Sequence, residues 1–122
     1  AILAFLPEEE REAIIRFNMP RILDRAAIDE VDLRIMIDAV RETGAAHMNF
    51  EMIEGMAGLG VPVLDQNGTA VAALSIGTLA SRLTEQRQRT IADLLKKEAA
   101  LISSKLNPFD ATLRYPSQAL SR

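Results

Sequence analysis

Residues 55–83 constrain this chain more than any other stretch, because they read as one antiparallel hairpin with two unlike faces. Asn67-Gly68 supplies the turn residues that a tight hairpin demands, since both tolerate positive φ. With those two at the tip, Gln66 pairs with Thr69, Leu64 with Val71, Val61 with Leu74 and Gly60 with Ser75. One face then carries Leu59, Val61, Val63, Leu74 and Ile76, bulky enough to bury against a helix. The other carries Met56, Gly58, Gly60, Pro62, Ala73, Ser75 and Gly77, mostly small. Space above such a face is where a ligand is expected. A three-residue loop, Gln66 to Gly68 with Gly68 as a bulge, is the alternative and would move Ser75 to the bulky face.

The 122 residues suffice for one domain with a single core. Hydrophobic residues make up 48% and charged residues 25%, ordinary globular material. No apolar run approaches the roughly 18 residues of a membrane span, so no membrane partner is expected. A net charge of −3 argues against nucleic-acid binding by this segment, which normally needs a basic face. With no cysteine, disulfides, thiol catalysis and thiolate metal sites are all excluded, which suits a cytoplasmic location. One histidine cannot build a histidine-rich metal site, and neither a metal nor a cofactor is expected. The opening Ala-Ile-Leu-Ala-Phe-Leu has no initiator methionine and no signal-peptide pattern, so the expectation is a fragment with sequence preceding Ala1.

Around the hairpin the periodicity is helical. Pro7 followed by Glu8, Glu9 and Glu10 starts a short helix, with Ile14, Ile15 and Phe17 inward and Asn18 and Pro20 as its end. Residues 21–28 are ambiguous. Asp29 caps a second helix to about Thr43, stopped by Gly44, with Leu33, Met36, Ile37 and Val40 on its core face. Residues 45–50 suit a strand, and Glu51 to Gly55 a turn. Thr84 caps a long third helix to about Leu106, with Ile91, Leu94, Leu95, Ala99, Ile102 and Leu106 as its apolar stripe. Residues 1–107 form the expected domain and 108–122 a tail. Helices with antiparallel strands and no repeated βαβ unit indicate an α+β fold. Two or three strands are few to stand alone.

Little here resembles catalytic machinery, and no enzyme activity is expected. Gly55, Gly58 and Gly60 reverse the spacing of a dinucleotide loop and precede a strand rather than a helix, so close backbone packing explains them better. Ser75 is the leading polar candidate on the small-residue face. As a nucleophile it would need a base, which its neighbourhood lacks; its hydroxyl could instead donate to a bound carboxylate or carbonyl, or simply satisfy nearby backbone. His47 reads as a rim or surface residue, and Asn49 and Glu51 as either pocket mouth or ordinary loop polarity. Glu8, Glu9 and Glu10 point about 100° apart on a helix and cannot converge on one ion. Arg82, Arg87 and Arg89 read as a solvated face, and Met36, Met48, Met52 and Met56 as core or adaptable lining.

Three stretches together resemble the C-terminal effector-binding domain of the IclR family of bacterial transcriptional regulators: residues 1–10, Val-Arg-Glu-Thr-Gly-Ala-Ala at 40–46, and 55–84 from Gly-Met-Ala-Gly to Ser-Arg-Leu-Thr. Their order and spacing match from Ala1 to about Asn107. The resemblance implies a GAF-like domain, an antiparallel sheet flanked by helices around a small-molecule pocket. It implies a winged helix-turn-helix and the first part of the sensor domain upstream, with DNA bound only through the former. It further implies a homodimer or homotetramer, and a small organic acid or aromatic metabolite as effector. The family's pocket positions fall on Met48, Met56, Gly58, Ser75 and Gly77, with Asn49 at the rim. Four of these five lie on the small-residue face. A pocket acid of some members falls on Met48 here, and polar groups fall on Gly58 and Gly77, which implies a roomier, less polar pocket. A structural association domain with a closed, empty pocket is the alternative.

Overall fold

A computed structural model describes residues 1–25, 28–50 and 54–113, with Arg25, Asn49, Phe50 and Ala111 described by backbone alone. The expected tail beyond 113, and Glu51 and Met52, lie outside the described residues. After a single helical turn at Leu3–Phe5 the order is α1 (Glu8–Arg25), α2 (Glu30–Thr43), β1 (Ala46–Phe50), β2 (Met56–Leu64), β3 (Ala70–Leu79) and α3 (Glu85–Lys105). The strands form one antiparallel sheet in the order β1-β2-β3. The α+β expectation holds.

The hairpin tip differs from the two-residue turn. Only glycines have positive φ among the described residues, so Asn67 cannot serve a type I′ turn. The loop is instead the three-residue alternative, Gln66 to Gly68, with Gly68 at φ 76°. The Asp65 N–H donates to the Thr69 carbonyl (2.8 Å) and the Gly68 N–H to the Asp65 carbonyl (3.0 Å). The Asp65 carboxylate adds two more bonds, accepting from the Asn67 and Thr69 N–H groups at 2.8 and 3.0 Å. This carboxylate outcompetes the Asn-Gly preference. The register nevertheless ends where the first reading put it, because Leu64 pairs with Ala70 and Val63 with Ala72, leaving Val71 as an extra residue. That bulge removes the one-residue slip the longer loop introduces. Gly60 therefore faces Ser75 and Val61 faces Leu74, as expected, whereas the Leu64–Val71 and Gln66–Thr69 pairs do not form.

The bulky face is the core. Leu59, Val61 and Val63 are 2%, 0% and 1% exposed, packed with Ala92 and Ala99 of α3 and flanked by Leu74 and Ile76. Ile91, Leu95, Ala99 and Leu106 of the expected α3 stripe pack here, whereas Leu94 (59% exposed) and Ile102 (39%) turn outward. Ala92, outside that stripe, is buried with Ala99 and lets the helix close on the strands, and Ser103 Oγ donates to the Leu64 carbonyl. β1 stops pairing at Gly60, two residues before Pro62, whose nitrogen has no hydrogen to donate.

A second cluster joins the first helical turn to α1 and α2 through Ala4, Ile15, Met19 and Ile37. Here α1 runs past its expected end, with Pro20 inside it. The Asn18 side chain donates to the Ile14 carbonyl at 2.8 Å rather than terminating the helix, and continued packing of Met19 and Ile22 outweighs the bond Pro20 forgoes. Lengthening the helix changes its inward line to Ile15, Met19 and Ile22. Phe17 turns outward, with the Arg21 guanidinium 5.0 Å from its ring centre, and Ile14 is also exposed. Arg34 of α2 grips Glu12 of α1 through bonds of 2.9 and 2.7 Å, which holds the Glu12 carboxyl below the usual carboxylate range. The expected caps of α2 are present: Asp29 Oδ1 accepts from the Asp32 N–H at 2.8 Å, and Gly44 ends the helix at φ 70°. Asp29→Ala should lower the unfolding free energy by about 1 kcal/mol in urea titrations, the usual worth of such a cap.

Candidate functional site

The register assembles the small-residue face row by row. Ala46, Gly60 and Ser75 form one row across the three strands, and Met48, Gly58 and Gly77 the next. Met56 lies opposite Leu79 in the row after that, and Pro62 opposite Ala73 on the other side. Side chains alternate along a strand, so these positions share the face turned away from α3. Met48, Met56, Gly58, Ser75 and Gly77 therefore stand together on one surface. Asn49 pairs with Ala57, one position out of phase with that set; its side chain lies outside what is described.

The chemistry of this face is sparse. Ser75 is exposed, and its hydroxyl has no hydrogen-bond partner among the described residues. No acid, base or other titratable side chain falls on these rows. A methyl group at Gly60 would sit 3.5 Å from the Ser75 Cβ and 3.9 Å from the Ala1 Cβ, so Ala1 reaches over that end. A methyl at Gly77 would meet nothing within 4 Å. Among the described residues Met48, Ser75, Gly77 and Leu79 are exposed, Met56 is half-buried and Gly58 is buried. The face offers van der Waals contact, close approach to backbone and one free hydroxyl.

The other candidates are accounted for more plainly. His47 is exposed and borders a polar hollow with Asp93 and Lys96, as a rim residue would. Arg82, Arg87 and Arg89 are exposed, Arg89 paired with Glu85 one turn away. Among the described residues no acidic or histidine cluster could hold a metal, and no helix is long and apolar enough to cross a membrane. A hollow of about 500 Å³, unforeseen in the sequence, lies at the edge of β2 beyond the end of β1, bordered by Arg41, Pro62, Leu64 and Lys96. It joins residues from separate stretches of the chain, from Phe5 to Ser103, which no local pattern reveals.

A family model described as "Bacterial transcriptional regulator IclR C-terminal" matches residues 1–104. The chain belongs to the IclR family. Among its IclR-family relatives, the HTH-type transcriptional regulator KdgR of Escherichia coli is 30% identical over 110 residues, 89% of this chain and 42% of that protein. The crystal structure of Thermotoga maritima IclR superimposes with a TM-score of 0.75 at 32% identity, covering 86% of this chain and 43% of that one. A double mutant of the PobR inducer-binding domain from Acinetobacter, solved with 3-hydroxybenzoic acid, gives a TM-score of 0.67 at 25% identity, covering 83% and 61%. The chain spans about two-fifths of the length of the curated relatives it matches. Those relatives are transcriptional regulators, and the C-terminal domain of such regulators is the part represented here.

Proposed function

We propose that residues 1–107 belong to the effector-sensing and subunit-associating domain of an IclR-type regulator, with the small-residue sheet face as part of its ligand floor. The observation that carries this reading is the gathering of Met48, Met56, Gly58, Ser75 and Gly77 into adjacent rows on the face that α3 leaves uncovered. In this reading Ser75 donates to an oxygen of the ligand, Gly58 and Gly77 admit it against the backbone, and the two methionines adapt to its apolar body. The PobR relative, crystallised with a hydroxybenzoic acid, supports an aromatic acid as the class. Because these three strands bring no charge to the face, a ligand carboxylate needs a further partner from elsewhere in the protein. DNA contact belongs to a winged helix-turn-helix outside this segment. Subunits pair as homodimers or homotetramers in the cytoplasm, and ligand binding biases their arrangement. Catalysis has no part in this reading, since no base stands beside Ser75 among the described residues.

A thermal-shift screen over benzoate, 3-hydroxybenzoate and short aliphatic carboxylates tests it first, because a ligand at 100 times its Kd stabilises the native state by about 2.7 kcal/mol. No shift across that set would favour a structural association domain instead. For a compound that binds, Ser75→Ala should weaken affinity by roughly five- to twentyfold in calorimetry, the scale of one lost hydrogen bond. Unchanged affinity would remove Ser75 from the site.

A further inference from the structure

We infer that the hollow beside β2 is a second ligand site, one that takes a monocarboxylate on an apolar body and binds its anion through Arg41. The site lies where β1 has ended and only β3 still pairs with β2; Pro62 borders it, but none of Met48, Met56, Gly58, Ser75 and Gly77 does. Phe5, Val61, Pro62, Leu64 and Ala100 give it apolar walls. Its volume of about 500 Å³ falls within the range of small-molecule pockets.

The charges around it favour an anion. Arg41 and Lys96 both border the hollow, against a single carboxylate, Glu42. Lys96 Nζ donates to the Thr43 carbonyl at 2.6 Å, at the C-terminal end of α2. That bond offsets the partial negative charge of the helix end, which would otherwise repel an anion. Arg41, by contrast, has no hydrogen bond or ion pair among the described residues. A guanidinium beside apolar walls with its donors unused suits a planar carboxylate, which it can grip with two parallel bonds. Arg41 and Phe5 also border an adjoining hollow with Gly68 and Thr69 at the hairpin tip, so a ligand longer than one ring has room to extend. A molecule seated here would touch the end of α2, the edge of β2 and α3 together, which makes it a second input to the domain, independent of the sheet face.

The test is a 15N–1H NMR titration of the protein with 2-naphthoate, and with 2-naphthamide as its neutral counterpart. Naphthoate should move the amides of Gly44, Lys96, Ala100 and Ser103, and naphthamide should do so at least about tenfold more weakly. Arg41→Gln removes a charge from an exposed residue that is unpaired among the described residues, and should weaken naphthoate at these amides by at least about tenfold. Ala100→Trp should block the hollow while leaving Arg41 in place. Equal response to acid and amide, survival of the response in both variants, or shifts confined to Gly58, Ser75 and Gly77 would each overturn this site. The last result would leave the sheet-face reading standing, and shifts at the β2 hollow alone would do the reverse.

Discussion

Leu59→Ala should destabilise the domain by about 3 kcal/mol, measured as the fall in unfolding free energy in urea followed by circular dichroism. Leu59 is 2% exposed and stands in the middle of β2, with His47 and Ile76 as its cross-strand partners. The helix covering it presents Ala92 and Ala99, flanked by the half-buried Ile91 and Leu95, in a close-packed layer with little freedom to fill the space that the leucine would leave. Collapse is therefore limited, and a cavity cost adds to the lost transfer free energy. Leu94→Ala is the matched control. It removes the same atoms from a residue 59% exposed on the far side of α3, and should change stability by less than about 0.5 kcal/mol. Similar losses for the two would mean that Leu94 also packs into the core.

That contrast also shows where sequence reading succeeds and fails in this fold. Alternation along 59–63 and 74–76 identified the buried face of the hairpin, because a half-buried strand writes its burial every second residue. The same logic is weaker for a helix. Leu94 and Ile102 outscored Ala92 on apolarity, yet the helix–sheet spacing rewards small residues at the contact, a property of the pair of elements rather than of either one. At α1 the rules for proline and asparagine were followed correctly and still misled, since Met19 and Ile22 belong to a packed cluster that local propensity cannot see. The turn failed for a third reason: Asp65, two residues before Asn67, offered its carboxylate to the loop N–H groups. The face assignment survived only because Val71 bulges. For the sheet face, glycine and alanine in alternate positions were legible as missing bulk, and the family resemblance named the same positions. The hollow at Arg41 was illegible because its walls come from four separate elements.

Gly77→Leu should abolish ligand binding at the sheet face, with affinity falling by at least about 100-fold, while the fold keeps or gains stability. The two halves of this expectation have different causes. A Cβ at Gly77 would meet no atom within 4 Å, so a side chain there strains nothing in the described structure. Leucine also restricts the unfolded chain more than glycine does, and suits a strand better. Yet the new side chain would rise from β3 onto the sheet face, in the row of Met48 and Gly58, beside Ser75 two residues earlier on the same strand. It would occupy the space in which a ligand must lie to reach that hydroxyl. Calorimetry with a compound that stabilises the parent protein, beside urea titrations of both proteins, reads the two quantities separately. Gly77→Ala adds only one methyl and should cost less affinity at equal stability, which grades the effect by volume and covers the case of a poorly folded leucine variant. Parent-like affinity in either folded variant alongside parent-like stability would show that the ligand does not rest on this row, and the small residues would then have to be explained by close packing of another segment of the protein.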